Sequence, residues 1–137
     1  MSRTSRRQFV KKTSTIASSF LILGTKASGN IIGANNRVRV AVAGLNGRGK
    51  SHLGGWMGQD NVEVAYAIDP DQNVLSSTMA RLSDRAKGNL TTKGIKDLRQ
   101  ALEDPNVDAL SVAAPNHWHS LMTIWAAQHG KHVYVEK

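Results

Sequence analysis

The sequence predicts an α/β fold, a doubly wound parallel sheet, and three observations carry that expectation. Short Val- and Ala-rich runs alternate with stretches whose apolar residues recur at helical spacing. The runs are apolar at nearly every position, as strands covered on both faces should be. The strand–helix–strand order repeats, which implies parallel pairing through right-handed crossovers. The 137 residues allow one ordinary domain, and the absence of cysteine excludes a disulfide framework and thiolate metal sites.

The first element is an appendage. Residues 1–34 hold Arg3, Arg6, Arg7, Lys11, Lys12 and Lys26 and no acidic residue, so most of the formal charge of +8 lies there. Residues 35–137 hold 12 basic and 10 acidic residues, which leaves no basic stripe for a nucleic acid. The basic start leads into the mildly apolar Ile16–Gly24 and then into small and polar residues, the order of a secretory signal. That stretch is well short of the roughly 20 residues that span a bilayer. Ser5-Arg6-Arg7-Gln8-Phe9-Val10-Lys11 resembles the twin-arginine export motif. The resemblance implies export of a folded protein by the twin-arginine machinery to the bacterial periplasm. Cleavage after Ala27 and after Ala34 both fit. The expected domains are therefore a signal and linker over 1–34 and a folded unit over 35–137.

Within that unit, Arg37–Ala43 reads as a strand ending at Gly44, and a helix follows from about Gly49 to Met57. Val62–Ile68 is a second strand, closed by Asp69-Pro70. Residues 71–87 carry Val74, Leu75, Met79 and Leu82 at helical spacing. Residues 88–94 are a loop or a short strand. Asp97–Glu103 is a short helix, broken by Asp104-Pro105-Asn106. Val107–Ala113 is a further strand. His117–His129 is a helix with Leu121, Ile124 and Trp125 on one face, and Gly130 stands where a C′ glycine belongs. His132–Val135 is the last strand.

The chemistry gathers at the strand ends. Gly44-Leu45-Asn46-Gly47-Arg48-Gly49 lies between a strand and a helix, the context that gives a glycine-rich loop meaning. Glycines let the backbone turn tightly and approach a pyrophosphate, and the helix N-terminus offers N–H groups and partial positive charge. Arg48 adds charge there. Asp69 ends the second strand 25 residues after Gly44, near the ~20-residue offset of a ribose-binding acid. A carboxylate there would repel a 2′-phosphate, which favours NAD over NADP. The Val107–Ala113 strand should lie beside the first, across the switch point, so that Ala113–His119 faces the same crevice. Pro115 stiffens that loop, and Asn116 is expected to cap the next helix. His117 and His119 have H-x-H spacing but no third ligand, so one packed and one surface histidine is the expectation rather than a metal site. Trp118 and Trp125 read as helix-face packing. Glu136-Lys137 ends the last strand at the same edge, where a lysine beside a nicotinamide could act as a general acid/base.

Residues 38–137 resemble the N-terminal domain of the Gfo/Idh/MocA oxidoreductases, the glucose–fructose oxidoreductase and inositol dehydrogenase family. The resemblance rests on Val42–Gly49, Asp69, Asp97-Leu98-Arg99, Asp108-Ala109-Leu110, Ala114–His119 and Gly130–Lys137, in family order and spacing. It implies a Rossmann domain holding NAD(P), a second domain supplying most of a sugar or polyol pocket, and an oligomer in the full-length form. Gly44, Asn46, Gly47, Arg48 and Gly49 match the pyrophosphate loop, and Asp69 the ribose acid. Pro115, Asn116 and His119 match the nicotinamide-side loop. Glu136 and Lys137 match the first two residues of the family's Glu-Lys-Pro, with Glu136 near the cofactor and Lys137 catalytic or substrate-orienting. The expected sixth strand and second domain are absent from the sequence, so the sheet is expected to be incomplete at its C-terminal edge and the chain to be a truncated product or partial sequence without turnover. Two other readings are a non-catalytic nucleotide-binding fragment and part of an exported, NAD-dependent glycoside hydrolase. That hydrolase branch tends to lose the lysine present here as Lys137.

Overall fold

The computed structural model describes residues 37–137. The signal, its twin-arginine motif and both candidate cleavage sites lie outside the described residues. Nine elements follow in order: β1 (Val38–Ala43), α1 (Gly49–Met57), β2 (Val62–Ile68), α2 (Gln72–Arg85), β3 (Lys93–Ile95), α3 (Leu98–Glu103), β4 (Ala109–Val112), α4 (Asn116–Gln128) and β5 (His132–Val135). The strands form one parallel sheet in the order β3-β2-β1-β4-β5. The chain therefore leaves β1 toward β2 and β3, then crosses back to β4 on the other side of β1. This is the expected doubly wound sheet, with its switch point between β1 and β4.

Alternation along the strands divides the core into two layers. Ala41, Ala43, Ile68, Leu110 and Val112 pack under Leu98 and Leu102 of α3 and Ala126 of α4. Val40, Val42, Val64 and Ala67 pack under Leu53 of α1 and Leu75 and Leu82 of α2. A bulge breaks the β1–β2 register, with Val40 opposite Val64 but Ala41 opposite Tyr66. Ala65 is the extra residue, so Ala65 and Tyr66 both face the α3–α4 layer.

One open local expectation is settled and two are corrected. The 88–94 segment resolves into a loop followed by β3, a three-residue edge strand, too short to show any period in sequence. The half-in residue before α4 is Pro115 (φ −56°, ψ 147°), not Asn116, and no side chain caps that end. The fixed φ of proline and its extended ψ place its carbonyl to accept the Trp118 N–H at 2.9 Å, so Asn116 becomes the first helical residue. On α4 it is Met122, Trp125 and Ala126 that meet the core, while Leu121 and Ile124 remain exposed. Gly130 has φ +69°, as a C′ glycine should.

Candidate dinucleotide site

The β1–α1 loop is built by close approach. Gly44 has φ +87°, and a Cβ there would lie 2.5 Å from the Ala114 backbone nitrogen at the end of β4. A Cβ on Gly49 would overlap the Gly44 carbonyl oxygen. Gly47 is exposed, and a Cβ there would meet nothing within 4 Å. Two glycines thus fold the loop onto itself and onto β4, and the third keeps its outer surface bare. Among the described residues, the N–H groups of Asn46, Gly47, Arg48 and Gly49 have no hydrogen-bond acceptor, and α1 begins here without a side-chain cap. Bare N–H groups at a helix N-terminus are what a pyrophosphate requires.

Asp69, at the end of β2, is buried and pinned. Its Oδ2 accepts from the Leu45 N–H at 2.8 Å and its Oδ1 from the Asp71 N–H at 3.0 Å. A carboxylate has about four acceptor sites, so two remain for a ligand. Asp69 shares a cleft of about 810 Å³ with Gly44, Asn46, Gly47 and Pro115. Leu98, Trp118, Met122 and Trp125 supply an apolar wall. The donor set fits a dinucleotide: N–H groups for the pyrophosphate, a fixed carboxylate for ribose hydroxyls and an apolar wall for a base.

Not all of the sequence-derived residues meet in this cleft. His119 lies just outside it, where its Nε2–H donates to the Ala114 carbonyl at 2.7 Å and so holds the loop that Gly44 presses against. His117 is exposed, so the pair divides as expected into one packed and one surface histidine. Asn116 is exposed and also outside the cleft. Arg48 turns toward the end of β5, with its Nε 3.5 Å from Glu136 Oε1. Lys137 is exposed beyond β5. Conversely, Trp118 and Trp125 line the cleft; Trp125 also packs on the core as expected, whereas Trp118 is exposed.

A second group was missed in the sequence. His52 of α1 is buried, with its Nδ1 2.9 Å from Ser111 Oγ and its Nε2 2.9 Å from Glu136 Oε2. The Trp56 indole N–H donates to the same Ser111 Oγ at 3.0 Å. The His52 hydrogen bond, aided by the Arg48 charge, holds the Glu136 carboxyl below its ordinary range against the opposing effect of desolvation. The signal that was available is Ser111 itself. A hydroxyl in the middle of an apolar, doubly covered strand needs a partner.

Comparison with known proteins bears on the same residues. The Gfo/Idh/MocA family model, described as an oxidoreductase family with an NAD-binding Rossmann fold, matches residues 38–137. A "Glycosyl hydrolase family 109 protein" of Shewanella pealeana is 29% identical over 118 residues, covering 82% of this chain and 25% of the relative. The chain thus spans about a quarter of the length of the curated relatives it matches. Among solved structures, GenD2 from gentamicin A biosynthesis in complex with NAD has a TM-score of 0.65 at 25% identity, covering 74% of this chain and 27% of that one. The WlbA dehydrogenase of Bordetella pertussis, in complex with NADH and UDP-GlcNAcA, has a TM-score of 0.63 at 26% identity, covering 74% and 29%.

Proposed function

The chain belongs to the Gfo/Idh/MocA oxidoreductase family, and on that premise we propose that it holds NAD across the ends of β2, β1, β4 and β5 as part of a sugar or polyol oxidoreductase. The observation that carries the reading is the cradle: Gly44 and Gly49 folded shut, Gly47 bare, and Asp69 pinned beside them. Asn46, Gly47, Arg48 and Gly49 present N–H groups to the pyrophosphate. Asp69 takes the adenosine ribose through its two free acceptor sites. Pro115, Asn116 and His119 shape the loop on the nicotinamide side, with His119 acting through the Ala114 carbonyl. Glu136 stands near the far ribose, and Lys137 is the acid/base group that exchanges a proton with a substrate hydroxyl. NAD, when bound, supplies the two-electron redox chemistry of its nicotinamide. Export through the twin-arginine machinery to the periplasm, and self-association of a chain of the relatives' length, belong to the same proposal.

Cofactor choice tests it. The Asp69 carboxylate is fixed by two backbone donors, so it cannot swing away from a 2′-phosphate. Titration calorimetry should find NAD bound at least tenfold more tightly than NADP. Asp69→Ala should weaken NAD by about tenfold or more, the scale of hydrogen bonds to a charged group, and narrow the gap to NADP. Unchanged NAD affinity in that variant would remove Asp69 from the site.

One observation favours a second reading. The matched curated relatives carry a glycoside hydrolase name, whereas Lys137 argues for the dehydrogenase side. In a chain extended to the relatives' length, NADH accumulation with a free sugar supports the oxidoreductase. Nitrophenol release from a nitrophenyl glycoside without net NADH supports the hydrolase.

A further inference from the structure

We infer that His52 is a positioning residue for the nicotinamide half of the site, setting the direction of the Glu136 carboxylate at the end of β5. The inference rests on the dinucleotide reading above. The His52 side chain is only 7% exposed and sits one turn into the helix that starts at the cradle. Its ring reaches across to β4 and β5, and both ring nitrogens are engaged.

The chemistry of the partners sets the tautomer. An indole N–H can only donate, so Trp56 takes one acceptor site of Ser111 Oγ. The Ser111 hydroxyl hydrogen then turns to His52 Nδ1. A carboxylate only accepts, so the proton stands on Nε2 and is donated to Glu136 Oε2. Tyr134 closes the remaining side, edge-on to His52 at 5.4 Å and to Trp56 at 6.1 Å. One buried ring therefore joins α1, β4 and the end of β5.

The other partner of Glu136 is Arg48, whose side chain is 66% exposed, at 3.5 Å. With the guanidinium that exposed and at 3.5 Å, the pair is screened by solvent and fixes the carboxylate's direction less than the buried His52 hydrogen bond does. His52 therefore decides where the carboxylate points. Topology says which half of the ligand it meets. Asp69 ends β2 on one side of β1, and Glu136 ends β5 on the other. A dinucleotide with its adenosine ribose at Asp69 and its pyrophosphate on the β1–α1 loop sends its second half toward β4 and β5.

The test compares NAD with ADP, which keeps the adenosine and pyrophosphate and lacks the nicotinamide half. With the full 137-residue chain, calorimetry on His52→Ala should show NAD weakened about tenfold, as for loss of one oriented charge-assisted hydrogen bond. ADP should stay within about twofold. His52→Gln, whose amide can still donate to Glu136, should recover most of the NAD affinity, and it serves as the test if the alanine variant does not fold. Nitrogen-15 shifts of the His52 ring in the wild-type chain should show the proton on Nε2. Equal losses for NAD and ADP, or a proton on Nδ1, overturn the inference. A wild-type chain that binds neither ligand overturns the dinucleotide reading itself.

Discussion

A methyl group at Gly44 would press on the Ala114 backbone, whereas one at Gly47 would meet only open space. The fold therefore demands glycine at Gly44 but not at Gly47, where the proposed ligand site supplies the demand. Gly44→Ala should destabilise the domain by roughly 3 kcal/mol or more, since positive φ and a backbone overlap combine. Gly47→Ala should leave the urea midpoint nearly unchanged yet lower NAD affinity severalfold, because its methyl would stand where the proposed site takes the pyrophosphate. Equal stability losses in the two variants, read by urea titration, would contradict this division. Gly44 and Asp69 were legible in sequence because strand–loop–helix context and a fixed offset announce them. His52 was not, because its partners Ser111 and Glu136 lie 59 and 84 residues away. No local pattern encodes a contact at that range. Arg48 was legible as a loop residue, but its turn toward Glu136 follows from the sheet order.

Among the elements, long and strongly patterned segments were read to within a residue or two, and α1, β2 and β5 coincide with the expected spans. What local patterning left open or misplaced lies where tertiary context outranks local chemistry. β3 exists as a strand because the edge of β2 pairs Tyr66, Ala67 and Ile68 with Lys93, Gly94 and Ile95. Its own three residues carry no strand signal. At α4, Pro115 displaces Asn116 from the cap. At α3, expected to begin at Asp97, the helix begins at Leu98 and Asp97 is its cap, where its Oδ1 accepts from the Arg99 N–H at 3.0 Å. Its carboxylate also pairs with the Arg99 guanidinium, Nη2 to Oδ2 at 2.6 Å. Those hydrogen bonds from Arg99 lower the Asp97 pKa from 3.8 to about 2. A carboxyl with a depressed folded-state pKa contributes stability above its unfolded value and loses it as pH falls through the folded one. Asp97→Asn should therefore be less stable than wild type at pH 6. The gap in urea midpoint should close as pH falls from about 4 toward 2. A gap that is constant over that range would mean that the charge of Asp97 does not hold this helix end.

At the scale of the whole molecule, β1 sends alternate residues into two layers, with Ala41 and Ala43 under α3 and α4 and Val40 and Val42 under α1 and α2. Neither layer can open without stripping the strand that supports the other, so residues 37–137 should unfold in one cooperative step. The tryptophans report on both sides, since Trp56 packs on the α1–α2 layer and Trp125 on the α3–α4 layer. The proposed NAD site draws on the ends of β1, β2, β4 and β5 together, so binding there should stabilise the sheet as a unit. At NAD concentrations a hundredfold above Kd, the linkage contributes about 2.7 kcal/mol. For a domain of this size that raises Tm by on the order of 10 °C. Thermal curves from tryptophan fluorescence and far-ultraviolet circular dichroism should coincide without NAD and move up together with it. If fluorescence shifts while the dichroism transition stays behind, the ligand stabilises one layer alone. The two faces of β1 are then not coupled as their shared strand requires.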